Sequence, residues 1–182
     1  AELAFRTLTS KNYTEAVVHA ENMRALNRER KNLVTGKMEQ IIKEIEEKQL
    51  DQAAPLCIYV PDLLSGLAGL IAGKLTERYH MPAIVPTRGN KGSQIKGSGR
   101  SYGGVDLKAL LDTVAPLMMS YGGHPDAAGL TLELDKFEQL SDGLKENLKS
   151  YQRPDESVVY YDLLISQDEV RDVAESLQKF AP

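Results

Sequence analysis

An α/β fold, with a mixed β-sheet and flanking helices preceded by one long connecting helix, is what the 182 residues predict. Two observations lead there. Between residues 54 and 153, short apolar runs alternate with stretches of helical spacing, as strands and helices do when they share one layered domain. Ahead of them, residues 14–50 place Ala16, Ala20, Met23 and Leu26, then Val34, Met38, Ile41 and Ile45, three and four apart on a helix. The polar stretch Asn27 to Asn32 between those groups marks a brace or spacer rather than a member of a compact bundle.

The elements follow in order. The long helix is either continuous or two helices joined near Thr35-Gly36, because an interior glycine costs about 1 kcal/mol against alanine. Residues 55–60 read as a short buried strand, which makes Cys57 a core thiol rather than a reactive one. Residues 67–80 read as a helix with Gly66, Gly69 and Gly73 along one side, where bare backbone admits a close neighbour. Residues 82–87 read as a second strand, whose prolines favour a sheet edge or strand ends. A turn then leads into a strand around residues 94–97. Asp106 is an N-cap for a helix carrying Leu107, Leu110, Leu111 and Val114, which Pro116 ends or kinks. Residues 127–134 alternate as a strand, and Asp135 caps a helix with Phe137, Leu140, Leu144, Leu148 and Tyr151 on one stripe. Residues 157–165 read as a further strand and 169–180 as a short helix. The expected organisation is therefore the end of a preceding domain with a long connecting helix in 1–53, an α/β domain in 54–153 and the start of a truncated domain in 154–182.

Composition bounds the function. An apolar fraction of 42% and a charged fraction of 26% are ordinary for a soluble globular chain. No apolar run approaches the roughly 20 residues of a membrane helix, so no membrane is expected. The single cysteine excludes an internal disulfide and points to a reducing cytoplasm. A net charge of −4 argues against a broadly basic nucleic-acid binder, yet Thr87 to Val105 holds no Asp or Glu while carrying Arg88, Lys91, Lys96 and Arg100. A polyanion would find one favourable face.

Two glycine-rich segments carry the chemistry. Tyr121-Gly-Gly-His124-Pro-Asp-Ala-Ala-Gly129 surrounds one histidine with nearly bare backbone, as main chain needs where a ligand comes close. Lys96-Gly-Ser-Gly-Arg100-Ser-Tyr-Gly-Gly104 sets one guanidinium among backbone N–H donors. Together they read as an anion site for phosphate, formed by Gly97, Ser98, Gly99, Arg100 and Ser101 with Gly122, Gly123, His124, Ala128 and Gly129. The plainer alternatives are an Arg100 paired with an acidic helix and glycines that merely form turns. His19 and His80 read as structural or solvated. No histidine has carboxylate partners at metal-ligand spacing, so neither a metal centre nor a catalytic residue is assigned to this chain.

Leu26-Asn-Arg-Glu-Arg30, Gly66-Leu-Ala-Gly-Leu-Ile-Ala72, Lys96-Gly-Ser-Gly-Arg-Ser101, Gly122-Gly-His-Pro-Asp-Ala-Ala-Gly129 and Lys179-Phe-Ala-Pro182 stand in the order seen in the RecJ family. These are bacterial single-strand-specific exonucleases of the DHH phosphoesterase group, and the chain resembles them over nearly its whole length. The resemblance implies a DHH-associated domain behind a connecting helix, with manganese or magnesium held by a separate DHH domain missing from this chain. It implies a full-length enzyme that degrades single-stranded DNA 5′ to 3′ in repair and recombination, and a fragment inactive alone. It further implies that Arg100 forks a phosphate, that the amides of residues 97–101 share its charge, and that Gly122, Gly123 and His124 sit against the terminal nucleotide. The implied partners are single-stranded DNA and a single-strand-binding protein or helicase, with the protein a monomer. One departure stands out: Leu64, in Leu63-Leu64-Ser65-Gly66, occupies a place where the family commonly has a histidine. Two other readings stay open, another DHH-family phosphodiesterase acting on oligoribonucleotides or cyclic dinucleotides, and a non-catalytic RNA-binding appendage like that of alanyl-tRNA synthetases.

Overall fold

The computed structural model describes residues 2–89, 92–154 and 164–178. A short helix, α1 (Glu2–Thr9), packs against α2 (Tyr13–Glu47) and is not announced by apolar spacing. Asn12 starts α2 by accepting the amides of Thr14 and Glu15 at 3.0 and 3.3 Å, which satisfies two of the donors a helix start leaves over. The helix is continuous over 35 residues. Gly36 does not break it, because the turns on either side continue the ladder. Burial divides it in half: Val34, Met38, Ile41 and Ile45 are buried, and no residue before Val34 is. The brace expectation therefore describes the first half, while the second half belongs to the core of the sheet.

Five strands form the sheet: β1 (Leu56–Cys57), β2 (Ala83–Arg88), β3 (Gln94–Arg100), β4 (Ser120–His124) and β5 (Ala127–Glu133). Their spatial order is β1-β2-β3-β5-β4, with β1 and β2 parallel and every other pair antiparallel. The first strand is shorter than expected as a ladder, although the amides of Ile58 and Val60 still reach the carbonyls of Ile84 and Pro86 at 3.1 and 2.9 Å. Pro86 corrects the expectation of an edge: it lies mid-strand in β2, between β1 and β3. Its carbonyl faces β1, and in a strand the nitrogen of the same residue faces the same flank, beyond the end of the β1 ladder. The missing N–H therefore interrupts no pairing with β3.

The described residues hold four further helices: α3 (Ala68–Tyr79), α4 (Leu107–Asp112), α5 (Phe137–Asn147) and α6 (Val170–Gln178). Asp106 caps α4 as expected, accepting the Ala109 amide at 2.9 Å. That helix ends at Asp112, before Pro116, which falls in a following 3-10 turn. Asp135 caps nothing; it lies inside the 3-10 turn that leads into α5. The strand expected over 157–165 falls almost entirely outside the described residues.

The sheet is covered on both faces. On one, the second half of α2 and α3 bury Ile45, Ile71, Ala72 and Leu75 against Leu56 and Val85. On the other, α4 and α5 bury Leu107, Leu111, Leu140 and Leu144 against Ile84, Ile95 and Leu132. Each such aliphatic side chain contributes on the order of 1.5–3 kcal/mol when fully buried. Cys57 belongs to the second cluster, and burial pushes its thiol up to about 11 despite a hydrogen bond with Ser141. It is the core thiol that its apolar run implied. The cover on the first face is incomplete, because α3 lies over β2 and β3. Among the described residues, the β5-β4 side of that face has no helix over it.

Candidate anion-binding face

Side chains alternate across a strand, so the pairing register states which residues share the open face. Three rows result. Arg100 pairs with Ala127, which pairs with His124; Ser98 pairs with Gly129, which pairs with Gly122; Lys96 pairs with Thr131, which pairs with Ser120. Neighbouring strands stand about 4.8 Å apart, so the outer members of one row are separated by about 10 Å along the backbone. An open groove of about 450 Å³ runs over the second and third rows, with Ser65 at the entry to α3 as its opposite lip. No Asp or Glu lines it. Among the described residues, neither Arg100 nor Lys96 forms a salt bridge.

The candidate residues divide by face. Ser98, Arg100, Gly122, His124 and Gly129 lie on the open one. Gly97, Gly99, Gly123 and Ala128 point the other way, into the core. A Cβ on Gly99 would stand 2.7 Å from Leu107 Cδ2, and one on Gly97 3.2 Å from Leu130 Cδ2. These glycines are bare because leucines fill the space. Ser101 does not face the groove; its hydroxyl donates to the Val105 carbonyl and its amide to the Asp126 carbonyl at 2.9 Å.

Two expectations change here. The strand expected around residues 94–97 runs on to Arg100 as a central strand, so residues 98–100 are not loop, and the segment's amides are engaged in ladders with β2 and β5. It therefore offers side chains to an anion, not a loop of free N–H groups. Gly122-Gly-His124 is likewise the edge strand β4, with Pro125-Asp126 forming the turn after it. Gly123 has φ +151°, and a Cβ there would lie 2.2 Å from the Ala127 carbonyl oxygen, so close backbone contact requires glycine.

Arg100 is held in place. Its Nη1 donates to the Gly99 carbonyl at 2.8 Å, and its guanidinium lies against Gly69 of α3, where a Cβ would come within 2.8 Å of Nη2. Among the described residues Arg100 has no carboxylate partner, which counts against the acidic-helix alternative. On the opposite face, Tyr121 donates to Asp112 Oδ1 at 2.6 Å, and Lys108 stands 4.9 Å from the centre of the Tyr121 ring. Lys108 first, and Tyr121 second, hold the Asp112 carboxyl below its ordinary range. This cluster ties the glycine-bearing edge strand to α4.

The other histidines lie elsewhere. His80 ends α3 in the left-handed conformation, stacks on Tyr102 at 5.4 Å, and accepts the Tyr151 hydroxyl on its carbonyl at 2.9 Å. His19 lies between α2 and its surroundings, 3.6 Å from the Glu15 carboxylate. Ser65, Ser120 and Thr131 escape a reading by motif because the pairing register and the packing of α3, not local spacing, bring them to this face beside Lys96 and Gly69, which the motifs do contain. Leu64, where the departure from the family falls, is 65% exposed beside Ser65 and puts an apolar side chain near the groove's lip. Among the described residues no group of three or more His, Cys, Asp or Glu side chains is placed to hold a metal ion. No described helix is long and apolar enough to cross a membrane.

Known proteins share this outline. The DHHA1 domain family matches residues 56–150, which span the whole sheet and α5. The single-stranded-DNA-specific exonuclease RecJ of Salmonella typhimurium is 35% identical over 150 residues, covering 79% of this chain and 26% of that protein. The RecJ proteins of Escherichia coli and Bacillus subtilis are 36% and 33% identical over 134 and 146 residues, covering 70% and 80% of this chain. The crystal structure of RecJ from Thermus thermophilus in complex with Mg2+ superposes with a TM-score of 0.74 at 24% identity, covering all of this chain and 28% of that one. Likeness at that identity speaks to the fold. The chain spans between 18% and 26% of the length of these three curated relatives.

Proposed function

This chain belongs to the DHHA1 domain family, and on that premise we propose that it is the strand-binding part of a RecJ-like exonuclease that degrades single-stranded DNA from the 5′ end in repair and recombination. The observation that carries the proposal is a face on which Arg100 and His124 share one row, the row of Ser98, Gly129 and Gly122 adjoins it, and the groove over that row and the next has no Asp or Glu in its lining. Arg100 meets a phosphate as a planar fork, a geometry a point charge does not reproduce. Gly122 and Gly129 leave room for the sugar to approach the sheet, while His124 stands at the end of the row against the terminal nucleotide. Manganese or magnesium, and the hydrolysis itself, belong in this reading to a part of the full-length protein outside this chain. The same reading divides the chain at 1–53, 54–153 and 154–182, places the protein in the cytoplasm as a monomer, and makes a single-strand-binding protein or helicase its companion.

Binding of 5′-phosphorylated oligothymidylate at several salt concentrations tests it. Affinity should be weak and should fall with salt by a slope of about −0.7 per neutralised phosphate. Arg100→Lys should lose much of what Arg100→Ala loses, because the ammonium keeps the charge without the fork. Salt-independent binding, or wild-type affinity in Arg100→Lys, would overturn the forked contact and the strand-binding face with it.

A further inference from the structure

We infer that Lys96, Thr131 and Ser120 form a second phosphate seat, so that the face reads a polynucleotide of at least three units rather than a terminal nucleotide alone; this rests on the strand-binding reading above. Lys96 is exposed and, among the described residues, has no carboxylate partner. The register sets the hydroxyls of Thr131 and Ser120 beside it at successive strand spacings, and Ser65 faces them across the same groove. A cation among hydroxyl donors, with no acid in the lining, is chemistry suited to a phosphodiester.

Spacing decides what spans the two seats. Lys96 and Arg100 are four residues apart on β3, about 13 Å at a rise of about 3.3 Å per residue. Arg100 rests at the far end of that span, its Nη1 on the Gly99 carbonyl and its guanidinium against the bare surface of Gly69. One nucleotide carries one phosphate and reaches only one seat. A stacked strand advances about 3.4 Å per nucleotide and a stretched one more, so a ligand of three or four units reaches both. Between the seats lies the row of Ser98, Gly129 and Gly122, where a sugar can rest on backbone without meeting a side chain larger than serine.

The experiment is a length series. The full chain is titrated with 5′-phosphorylated thymidylates of one, two, three, four and six units, following amide shifts in wild type, Lys96→Gln and Arg100→Gln. Lys96→Gln should bind the mononucleotide as wild type does and bind the tetranucleotide about fivefold more weakly, the scale of one exposed ionic contact. Its salt slope for the tetranucleotide should fall by about 0.7. Ser120→Asp, which sets a carboxylate beside Lys96, should reproduce the same length-selective loss. Equal loss at every length, or loss at none, would overturn the second seat. The parent reading fails separately: it falls if Arg100→Gln loses nothing at any length, or if no thymidylate perturbs this face.

Discussion

Gly69→Ala is the substitution that best separates binding from folding. The added Cβ would stand 2.8 Å from Arg100 Nη2 and 3.4 Å from Cζ. Real Cβ atoms do not approach so closely, and α3 cannot yield, since Ala68, Ile71 and Ala72 beside it are buried. The guanidinium must therefore move. Because it is the end of a flexible side chain, the fold loses little, and alanine's helix propensity returns up to about 1 kcal/mol. A charge-assisted contact is worth about 1.5–3 kcal/mol, so complete loss of the Arg100 fork weakens phosphate binding about 10- to 100-fold. Melting temperature should hold or rise, by about 2–4 °C per kcal/mol for a chain of this size, while affinity for a phosphorylated tetrathymidylate falls. The same substitution in an Arg100→Gln background should cost no further affinity if it acts through Arg100 alone. Wild-type affinity in Gly69→Ala, or an equal loss in both backgrounds, would refute the argument that bare helix surface positions the arginine.

Two other outcomes follow from buried features. The Cys57 thiol, raised by burial from 9.0 to about 11, stays protonated in the folded chain while the unfolded chain ionises. Its contribution is thus fully present below pH 9 and is lost between pH 9 and 11, reaching about 2–3 kcal/mol at the limit. Denaturant midpoints of wild type and Cys57→Ala, compared across that window, should converge on one another as the pH rises; a constant difference would refute the assignment. Gly123→Ala sets a Cβ 2.2 Å from one backbone atom and 2.6 Å from another at φ +151°, with no rotamer to relieve it. A loss of about 2–4 kcal/mol and a melting temperature lower by roughly 10 °C are expected. Gly122→Ala, where nothing lies within 4 Å, should melt as wild type does. Equal melting of the two variants would contradict the packing described.

What the sequence discloses and what it conceals have physical causes. The second half of α2 is plain, because Val34, Met38, Ile41 and Ile45 repeat at helical spacing and all are buried. The Asp106 cap is plain for a similar reason: one side chain and one amide three residues on make the signal. By contrast, only the first half of β3, around residues 94–97, is legible, and its second half is lost in a glycine-rich segment. Its inward positions Ile95, Gly97 and Gly99 do alternate with Lys96, Ser98 and Arg100, but glycine stands where an apolar residue would announce a strand. It stands there because Leu107 and Leu130 already occupy the space. The two motifs fall on neighbouring parts of one sheet face, yet Ser65 and Gly69 reach that face only through the packing of α3. No local pattern contains that information.

The complete engagement of the β3 amides has a consequence for how this surface can diversify. Where an anion is cradled by free backbone N–H groups, its recognition is bound to one loop conformation, and altering selectivity means rebuilding main chain. Here the hydrogen-bond ladders belong to the scaffold, and in the proposed reading it is the outward side chains at 96, 98, 120 and 131 that meet the ligand. Those positions can exchange hydroxyl, amide or charged groups with little effect on the sheet, so length preference and backbone chemistry are tunable traits carried by an unchanging frame.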